Sequence, residues 1–263
     1  DDVESRGLGD VYKRQILGIS SGASLGATSA ILLGIGVSLG PNFVGIAAFI
    51  GAFAISLAVL FISNLGGRSN SMKLLLAGMA LSAVCGAFSS FIVYFANNKE
   101  GMQTIAYWMM GSLAGAKWGE LAIIAPIIMA SVIFFWTQSR VLNLMLLGDE
   151  SAITMGTDLH AYRQWYLLIS SLIVGFAVYA AGMIGFVGLI IPHVIRMFTG
   201  PDHKRLIPVS ALTGVIFLVI CDGLCRIIIP HTELPIGILI SMIGAPSFIY
   251  LMIKKTYGFG GND

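Results

Sequence analysis

The side chains able to do chemistry in this sequence are few and widely separated. Four histidines fall in four different regions: His160, His193, His203 and His231. Three cysteines stand in apolar runs without metal-ligand spacing: Cys85, Cys221 and Cys225. The chain contains neither the G-x-x-x-x-G-K-[ST] loop that holds nucleotide phosphates nor the H-E-x-x-H pair of zinc hydrolases. We therefore expect no catalytic residues, no metal site and no enzymatic activity in this chain.

One pair of charges lies inside an otherwise apolar run. Asp222 and Arg226 are four positions apart, so on a helix they share a face and can form an ion pair. Such pairing lowers the cost of placing charge in or near a bilayer. One interpretation is a pair that only holds helices together. The other is that Arg226 docks an acidic partner.

A short polar segment between apolar runs predicts a docking loop. Its two glycines bracket carboxylates and a hydroxyl suited to a helix N-terminus, and the second glycine suits the helix end. The candidate coupling residues are Gly148, Asp149, Glu150, Ser151, Ala152, Met155 and Gly156. A short amphipathic helix here would offer a soluble partner a contact point.

Small residues suggest either close helix packing or a wide path that does not retain its substrate. Gly18, Gly22 and Gly26 are spaced as one helix face, with Ser21 among them. A second set, Gly185 and Gly188 followed by Pro192, predicts a tight outer turn and an interrupted short helix. For both sets we keep the packing and the translocation-path interpretations open.

The composition requires a bilayer to cover these residues. Hydrophobic residues make up 57% of the 263 residues and charged residues only 11%, and the mean hydropathy is +0.89. A soluble surface needs about 25% charged residues, so we predict an all-α integral membrane protein with lipid as its solvent. About eight segments are apolar enough to span: 16–37, 41–63, 73–96, 120–138, 164–183, 185–198, 207–229 and 236–253.

The distribution of basic residues predicts the orientation. If segments alternate sides, one side holds nine Lys or Arg residues: Arg68, Lys73, Arg140, Arg163, Arg196, Lys204, Arg205, Lys254 and Lys255. The other holds three: Lys99, Lys117 and Arg226. The richer side is expected to face the cytoplasm. Residues 97–119 then form an outer interfacial or re-entrant stretch, and 141–163 a cytoplasmic excursion. Because the basic residues are dispersed, we expect no nucleic-acid partner.

Several stretches together resemble the FecCD-type permease family, the ten-helix membrane subunits of ABC importers for ferric siderophores, haem and vitamin B12. They occur in the family's order: 16–23, 107–112, 147–156, 185–193, Asp222 with Arg226, 233–237 and 244–246. The resemblance implies a multi-pass protein of the bacterial cytoplasmic (inner) membrane. It also implies that this chain binds no cofactor, since ATP and Mg²⁺ belong to a partner ATPase.

The same resemblance implies the partners and the roles of the candidate residues. A second permease copy or homologue, two cytoplasmic ATPase subunits and an extracytoplasmic substrate-binding protein are expected. The 148–156 segment would receive the ATPase stroke, and Arg226 would meet an acidic residue of the binding protein. The 16–37 and 73–96 segments would contribute to the path. The cargo most expected is a ferric siderophore, with cobalamin or haem as alternatives.

The front of the chain departs from that family pattern. Residues 1–15 are polar and are expected to be a non-native or disordered tail, with 16–263 as the permease domain. Within that tail, residues 9–15 resemble a translated sequencing-adapter remnant. The family places two more helices before residue 16. Two other classes stay open: a secondary transporter or channel without an ATPase, which would need ionisable residues at mid-membrane, and a membrane enzyme.

Overall fold

The computed structural model describes residues 18–35, 42–65, 71–147, 152, 154–157, 159–228 and 233–257, with only the backbone at 71 and 252–257. Its regular elements within these ranges are helices. In chain order they are α1 (Ile19–Leu33), α2 (Phe43–Asn64), α3 (Ser71–Ala96), α4 (Lys99–Met110), α5 (Trp118–Thr137), α6 (Ser139–Leu147), α7 (Leu159–Ala181), α8 (Val187–Thr199), α9 (His203–Ile228) and α10 (Ile236–Tyr257).

The predicted membrane segments correspond to these helices. Five helices are long and apolar enough to cross a bilayer: α2, α3, α5, α7 and α9. Three shorter apolar helices accompany them: α1, α8 and α10. The prediction of an all-α membrane protein with about eight segments is therefore confirmed. The outer stretch 97–119 contains α4, a helix of 12 residues.

One prediction about the short segments is wrong. Pro192 was expected to interrupt the 185–198 segment, but α8 runs through it from Val187 to Thr199. A proline removes only the bond from its own nitrogen to the carbonyl four residues earlier, here that of Gly188. The remaining bonds of α8 and its packing through Ile191 and Ile195 against α9 keep the helix continuous.

Two groups of helices make up the molecule. In the first, α1 lies centrally and contacts α2, α3, α4 and α7. In the second, α9 contacts α5, α6, α8 and α10. Helix α7 joins the groups because it packs on α2 and also meets α5 and α6.

The central α1–α2 contact depends on the absence of side chains. A Cβ on Gly22 would lie 2.5 Å from the carbonyl oxygen of Gly51, and one on Gly26 would overlap the carbonyl of Ala47. Buried alanines of both helices fill the surrounding space: Ala23, Ala27, Ala48 and Ala52. Close backbone approach of this kind is how membrane helices gain packing energy where no hydrophobic driving force separates them from lipid.

Polar contacts at the helix ends fix the relative helix directions. At one end, Asn42 before α2 donates to Glu120 of α5 and to Tyr179 near the end of α7. At the other end, Gln164 of α7 donates to Asn64, and Tyr166 donates to Gln138 after α5. Helices α2 and α5 therefore run in the same direction and α7 runs opposite, as the alternation of segments predicted. Which end faces the cytoplasm stays a prediction from charge.

Candidate functional site

A cavity of about 740 Å³ opens between α1, α3 and α4. Its lining is made of hydroxyls, small residues and flexible apolar side chains: Ser20, Ser21, Ser24, Thr28, Gly86, Ser89, Ser90, Val93, Tyr94, Asn97, Met102, Ile105, Met109 and Met183. It lies along the part of α3 that leads toward α4, the end that the charge distribution places outside. The space is large enough for a bulky molecule.

Helix α1 separates its predicted residues onto two faces. Gly22 and Gly26 pack against α2, whereas Ser21 lines the cavity with Ser20 and Ser24. Because each residue advances a helix by about 100°, positions two apart point to nearly opposite sides. Gly22 and Gly26 thus lie in the α1–α2 contact, and Ser21 lines the cavity.

Gly18 does not belong to the helical stripe that its spacing suggested. It lies before α1 with φ 78°, a left-handed conformation that glycine adopts without steric cost. A Cβ there would come within 3.0 Å of the carbonyl oxygen of Gly78 and of the Ser82 hydroxyl. Its role in the described structure is thus a tight chain entry against α3.

The turn before α8 is built by residues other than those singled out. Gly182 takes φ 69° and approaches the carbonyl oxygen of Trp108, and Phe186 takes φ 64°. By contrast, a Cβ on Gly185 or Gly188 would meet nothing within 4 Å, and neither has a positive φ. The tight turn is confirmed, but the described neighbours require glycine at Gly182 and not at Gly185 or Gly188.

The predicted coupling loop is described in part. Gly148, Asp149, Glu150 and Ser151 lie outside the described residues. Gly156 has φ 79°, and the N–H of Thr157 donates to the carbonyl of Ala152 at 2.9 Å, the bond pattern of a helix closed by a left-handed glycine. The helix stop at Gly156 is therefore confirmed. Ala152 is fully buried and Met155 is 60% exposed, so Met155 is the described loop side chain most available to a partner.

Asn143 of α6 forms a junction that the sequence analysis missed. Its amide nitrogen donates to Asp202 Oδ1 at 2.8 Å, and its oxygen accepts from the backbone N–H of His203 at 2.9 Å. The Nδ1 of the His203 ring lies 2.7 Å from the same oxygen. Asn143 is the only polar residue between positions 141 and 147, a signal that could have drawn attention to it.

Asp202 caps the beginning of α9 at this junction. Its Oδ1 accepts from the backbone N–H of Lys204 at 3.0 Å, the usual arrangement for a helix N-cap. The hydrogen bond from Asn143, together with that N–H, holds the pKa of the Asp202 carboxyl below its ordinary value. The indole of Trp136 also donates to the carbonyl of Lys204 at 3.0 Å, so α5 and α6 both hold the first turn of α9.

The opposite end of α9 carries the predicted ion pair. Arg226 Nε lies 2.9 Å from Asp222 Oδ2, which confirms the pairing expected from the four-residue spacing. A second carboxylate, Glu233 before α10, lies 3.8 Å from Arg226 Nη1. The Arg226 side chain is 47% exposed, so its guanidinium is partnered and still open to solvent. Its role in docking stays a prediction.

The cysteines and acidic residues form no further chemical centre in the described ranges. Cys221 and Cys225 are buried with Ile236 and Ile240 between α9 and α10. No group of three His, Cys, Asp or Glu side chains that could hold a metal ion occurs among the residues that the structure describes.

Comparison with known proteins decides the family. The model of the FecCD transport family matches residues 13–254. The chain belongs to the FecCD transport family. The predicted resemblance is thereby confirmed for residues 13–254.

Two curated relatives and one solved structure show the range of this similarity. The chain is 40% identical over 237 residues to the cobalamin import system permease protein BtuC of Halobacterium salinarum, covering 90% of this chain and 62% of that protein. It is 38% identical over 244 residues to the hemin transport system permease protein HmuU of Yersinia pestis, covering 91% and 72%. An inward-facing structure of a metal-chelate type ABC transporter superposes with a TM-score of 0.82 at 29% identity, covering 94% of this chain and 80% of that one.

The chain covers only part of the length of each of these relatives. It spans less than two thirds of the Halobacterium relative and somewhat more of the Yersinia one. The similarity therefore establishes family and fold for the described helices.

Proposed function

We propose that this chain is the membrane-spanning permease subunit of an ATP-binding-cassette importer that carries a metal chelate into the cell. The observation that carries the proposal is the cavity of about 740 Å³, set in a helical membrane protein of the FecCD transport family. A bulky cargo needs such a space. Neither a P-loop in the sequence nor a metal-binding group in the described part offers another chemistry.

The proposed partners are those that membership of this permease family implies. Two cytoplasmic ATPases would dock at residues 148–156, where they hydrolyse ATP with Mg²⁺ and move the loop. A substrate-binding protein outside the cell would dock near Arg226. A second permease copy or homologue would complete the path. All of this would take place in a bacterial cytoplasmic membrane, with this chain contributing no catalytic step.

Support for the coupling loop comes from the described residues at its two sides. On the C-terminal side, Gly156 adopts a left-handed conformation and Ala152 is buried. Helix α6, on the N-terminal side, is fixed to α9 through Asn143. A force that the ATPase applies to residues 148–156 would therefore be passed to α6 and, through Asn143, to α9.

The cargo is a metal chelate, and we favour a ferric siderophore among the members of that class. The matched relatives are named for cobalamin and for hemin, so the family supports the class more strongly than any one member. Labelled ferric siderophore, cobalamin and hemin, offered in turn, separate these cargos.

The experiment is uptake by proteoliposomes that contain the permease with its ATPase and binding protein. We expect accumulation that requires ATP and stops with a hydrolysis-dead ATPase. Replacement of Gly156 by Leu should leave ATP hydrolysis in place and reduce uptake, because a side chain at φ 79° disturbs the helix stop. Gly188→Leu is the matched control, since no described atom lies within 4 Å of its Cβ position. Uptake that persists without hydrolysis contradicts the proposal.

A further inference from the structure

Three basic side chains come together where α5 and α6 reach the beginning of α9. The indole of Trp136 donates to the carbonyl of Lys204, and Asn143 bonds to the residues that begin α9. Arg140 lies between these two residues in sequence and one helical turn before Asn143, so it shares the face of α6 that meets α9. Lys204 and Arg205 belong to the first turn of α9. We call Arg140, Lys204 and Arg205 the basic corner.

The cations of the basic corner have no carboxylate partner within 4 Å in the described part of the chain. All three side chains are exposed. At the opposite end of the molecule, by contrast, Lys117 lies 3.7 Å from Glu120 and Arg226 lies 2.9 Å from Asp222. The basic corner therefore presents positive charge that the described residues do not neutralise by ion pairing.

The two tryptophans of α5 place the basic corner at the level of the lipid headgroups. Trp118 and Trp136 are both exposed and stand at the two ends of the helix. Their separation in sequence corresponds to about 27 Å along a helix axis. The hydrocarbon core of a bilayer is about 30 Å thick, and tryptophan is enriched at both of its boundaries. Because Trp136 bonds to Lys204, the cations beside it lie at the same depth.

Two exposed apolar stripes lead from the basic corner into the membrane. On α5, Ile133 and Met129 precede the tryptophan at the helix end by three and seven positions, and both are more than half exposed. On α9, Leu212 and Ile216 follow Arg205 by seven and eleven positions and are 67% and 60% exposed. Since α5 and α9 contact each other, the stripes lie on neighbouring helices and begin at one place.

An anionic phospholipid matches both features of this surface. Its phosphate can accept hydrogen bonds from a planar guanidinium and from an ammonium group. Its acyl chains extend directly below the headgroup, where they would cover the apolar stripes. An acidic protein surface could pair with the cations, but a soluble partner does not reach side chains at hydrocarbon depth. Charge and apolar exposure together therefore favour a lipid.

We propose that the basic corner binds the headgroup of an anionic phospholipid in the leaflet that the charge distribution places on the cytoplasmic side, with the acyl chains along the stripes of α5 and α9. The inference goes beyond the importer function and depends neither on the cargo nor on the ATPase. Asn143 already ties α6 to α9 at this place, so a bound lipid would hold the same junction from the membrane side.

The test is native mass spectrometry of the purified permease in detergent, titrated with phosphatidylglycerol or with phosphatidylcholine of the same acyl chains. The first phosphatidylglycerol should bind about tenfold or more tightly than phosphatidylcholine at low ammonium acetate, and the difference should shrink at high concentration. Lys204→Gln with Arg205→Gln should weaken phosphatidylglycerol binding about 25-fold, at about fivefold per cation. Lys99→Gln with Lys117→Gln removes the same charge at the opposite end, so its affinity should stay within about twofold.

A single variant on another helix keeps the test independent of the folding of the double variant. Arg140→Gln leaves α9 unaltered and should weaken phosphatidylglycerol binding about fivefold. Equal affinity of the unaltered protein for the two lipids overturns the proposal. An equal loss in the two double variants also overturns it, because overall charge then explains the binding.

The remaining outcome concerns a protein in place of a lipid. If Lys204→Gln with Arg205→Gln keeps its affinity for phosphatidylglycerol but no longer retains the ATPase during purification, the basic corner contacts that subunit and the lipid proposal is wrong. ATP-dependent uptake is measured separately in proteoliposomes. A failure of lipid selectivity therefore leaves the importer function standing, and a failure of uptake leaves the lipid site standing.

Discussion

The two ends of α9 use polar residues in opposite ways. At the first turn, Asn143, Asp202 and His203 form hydrogen bonds among themselves that link α6 to α9. At the other end, Arg226 lies between two carboxylates with about half of its side chain in solvent. The first end uses its polar groups to connect helices of the same chain. The second end uses them within one local cluster and leaves charge exposed.

This difference separates an end that is tied to another helix of the chain from an end whose charge stays exposed. Hydrogen bonds from Asn143 to Asp202 and to two nitrogens of His203 tie α6 to the beginning of α9, and α6 leads directly to the 148–156 segment. The exposed triad fixes no distant element, apart from bringing Glu233 before α10 near Arg226. Exposed ion pairs contribute little to stability, so partner binding is the property in which the predicted docking role of Arg226 can be tested.

The largest expected effect is a loss of docking at the exposed end. Arg226→Glu would place a third carboxylate beside Asp222 and Glu233, so capture of an acidic partner surface should weaken by about tenfold or more. Thermal stability should change little because the guanidinium is half exposed. Binding of the substrate-binding protein to the reconstituted permease, measured at two salt concentrations, checks this. Lys117→Glu, which alters another exposed cation, is the control, and an equal loss in both variants contradicts a specific role for Arg226.

A smaller effect is expected at the first turn of α9. It should appear both in thermal stability and in the coupling of uptake to ATP hydrolysis. Asn143→Leu replaces the amide by an apolar side chain and removes its bond to Asp202 and both bonds to His203, at about 1 kcal/mol each. Thermal unfolding in detergent should shift downward, and uptake per ATP hydrolysed should fall. Asn64→Leu removes one hydrogen bond from Gln164 at the same side of the molecule and serves as control. If Asn143→Leu destabilises the protein without lowering uptake per ATP, the link to the coupling loop is wrong.

Acid should weaken the beginning of α9, which Asp202 caps. The native pKa of Asp202 lies below its ordinary value, so the unfolded chain binds a proton at a higher pH than the folded chain does. The stabilising contribution is complete above the unfolded pKa of about 3.9 and disappears as the pH falls through the native pKa. Unfolding temperatures measured from pH 6 downward should show this loss, and Asp202→Asn should flatten that part of the profile. If the unfolding temperature of Asp202→Asn depends on pH as it does in the unaltered protein, the loss of stability does not come from Asp202.

The sequence predicts local features better than contacts between distant parts of the chain. The pairing of Asp222 with Arg226 follows from helical spacing, and the helix stop at Gly156 follows from one residue type, so both were predicted correctly. Asn143 and His203 are 60 positions apart, and no periodicity connects them. Pro192 shows the reverse error, because a local rule predicted a break that the packing of α8 on α9 overrides.

The residues of the candidate cavity show the same difference between local features and long-range contacts. The sequence placed hydroxyls and glycines along α1, but their separation onto two faces depends on the partner that each face meets. Gly22 is fixed by the backbone of α2, whereas Ser21 faces a space that α3 and α4 bound from other parts of the chain. Sequence spacing alone left both interpretations open, and the helix contacts decide between them for these residues.

The smallest expected effect would sharpen the description of the exposed end. Glu233→Gln removes the more distant of the two carboxylates near Arg226, whose closest approach is 3.8 Å, and leaves the 2.9 Å pair with Asp222 in place. Because Glu233 is 55% exposed, thermal stability should stay unchanged within measurement error. The freed guanidinium should bind an acidic partner about twofold more tightly at low salt, with the gain vanishing at high salt. Weaker binding in this variant would mean that Glu233 itself contacts the binding protein, and that the exposed end of α9 recognises its partner through a carboxylate as well as through Arg226.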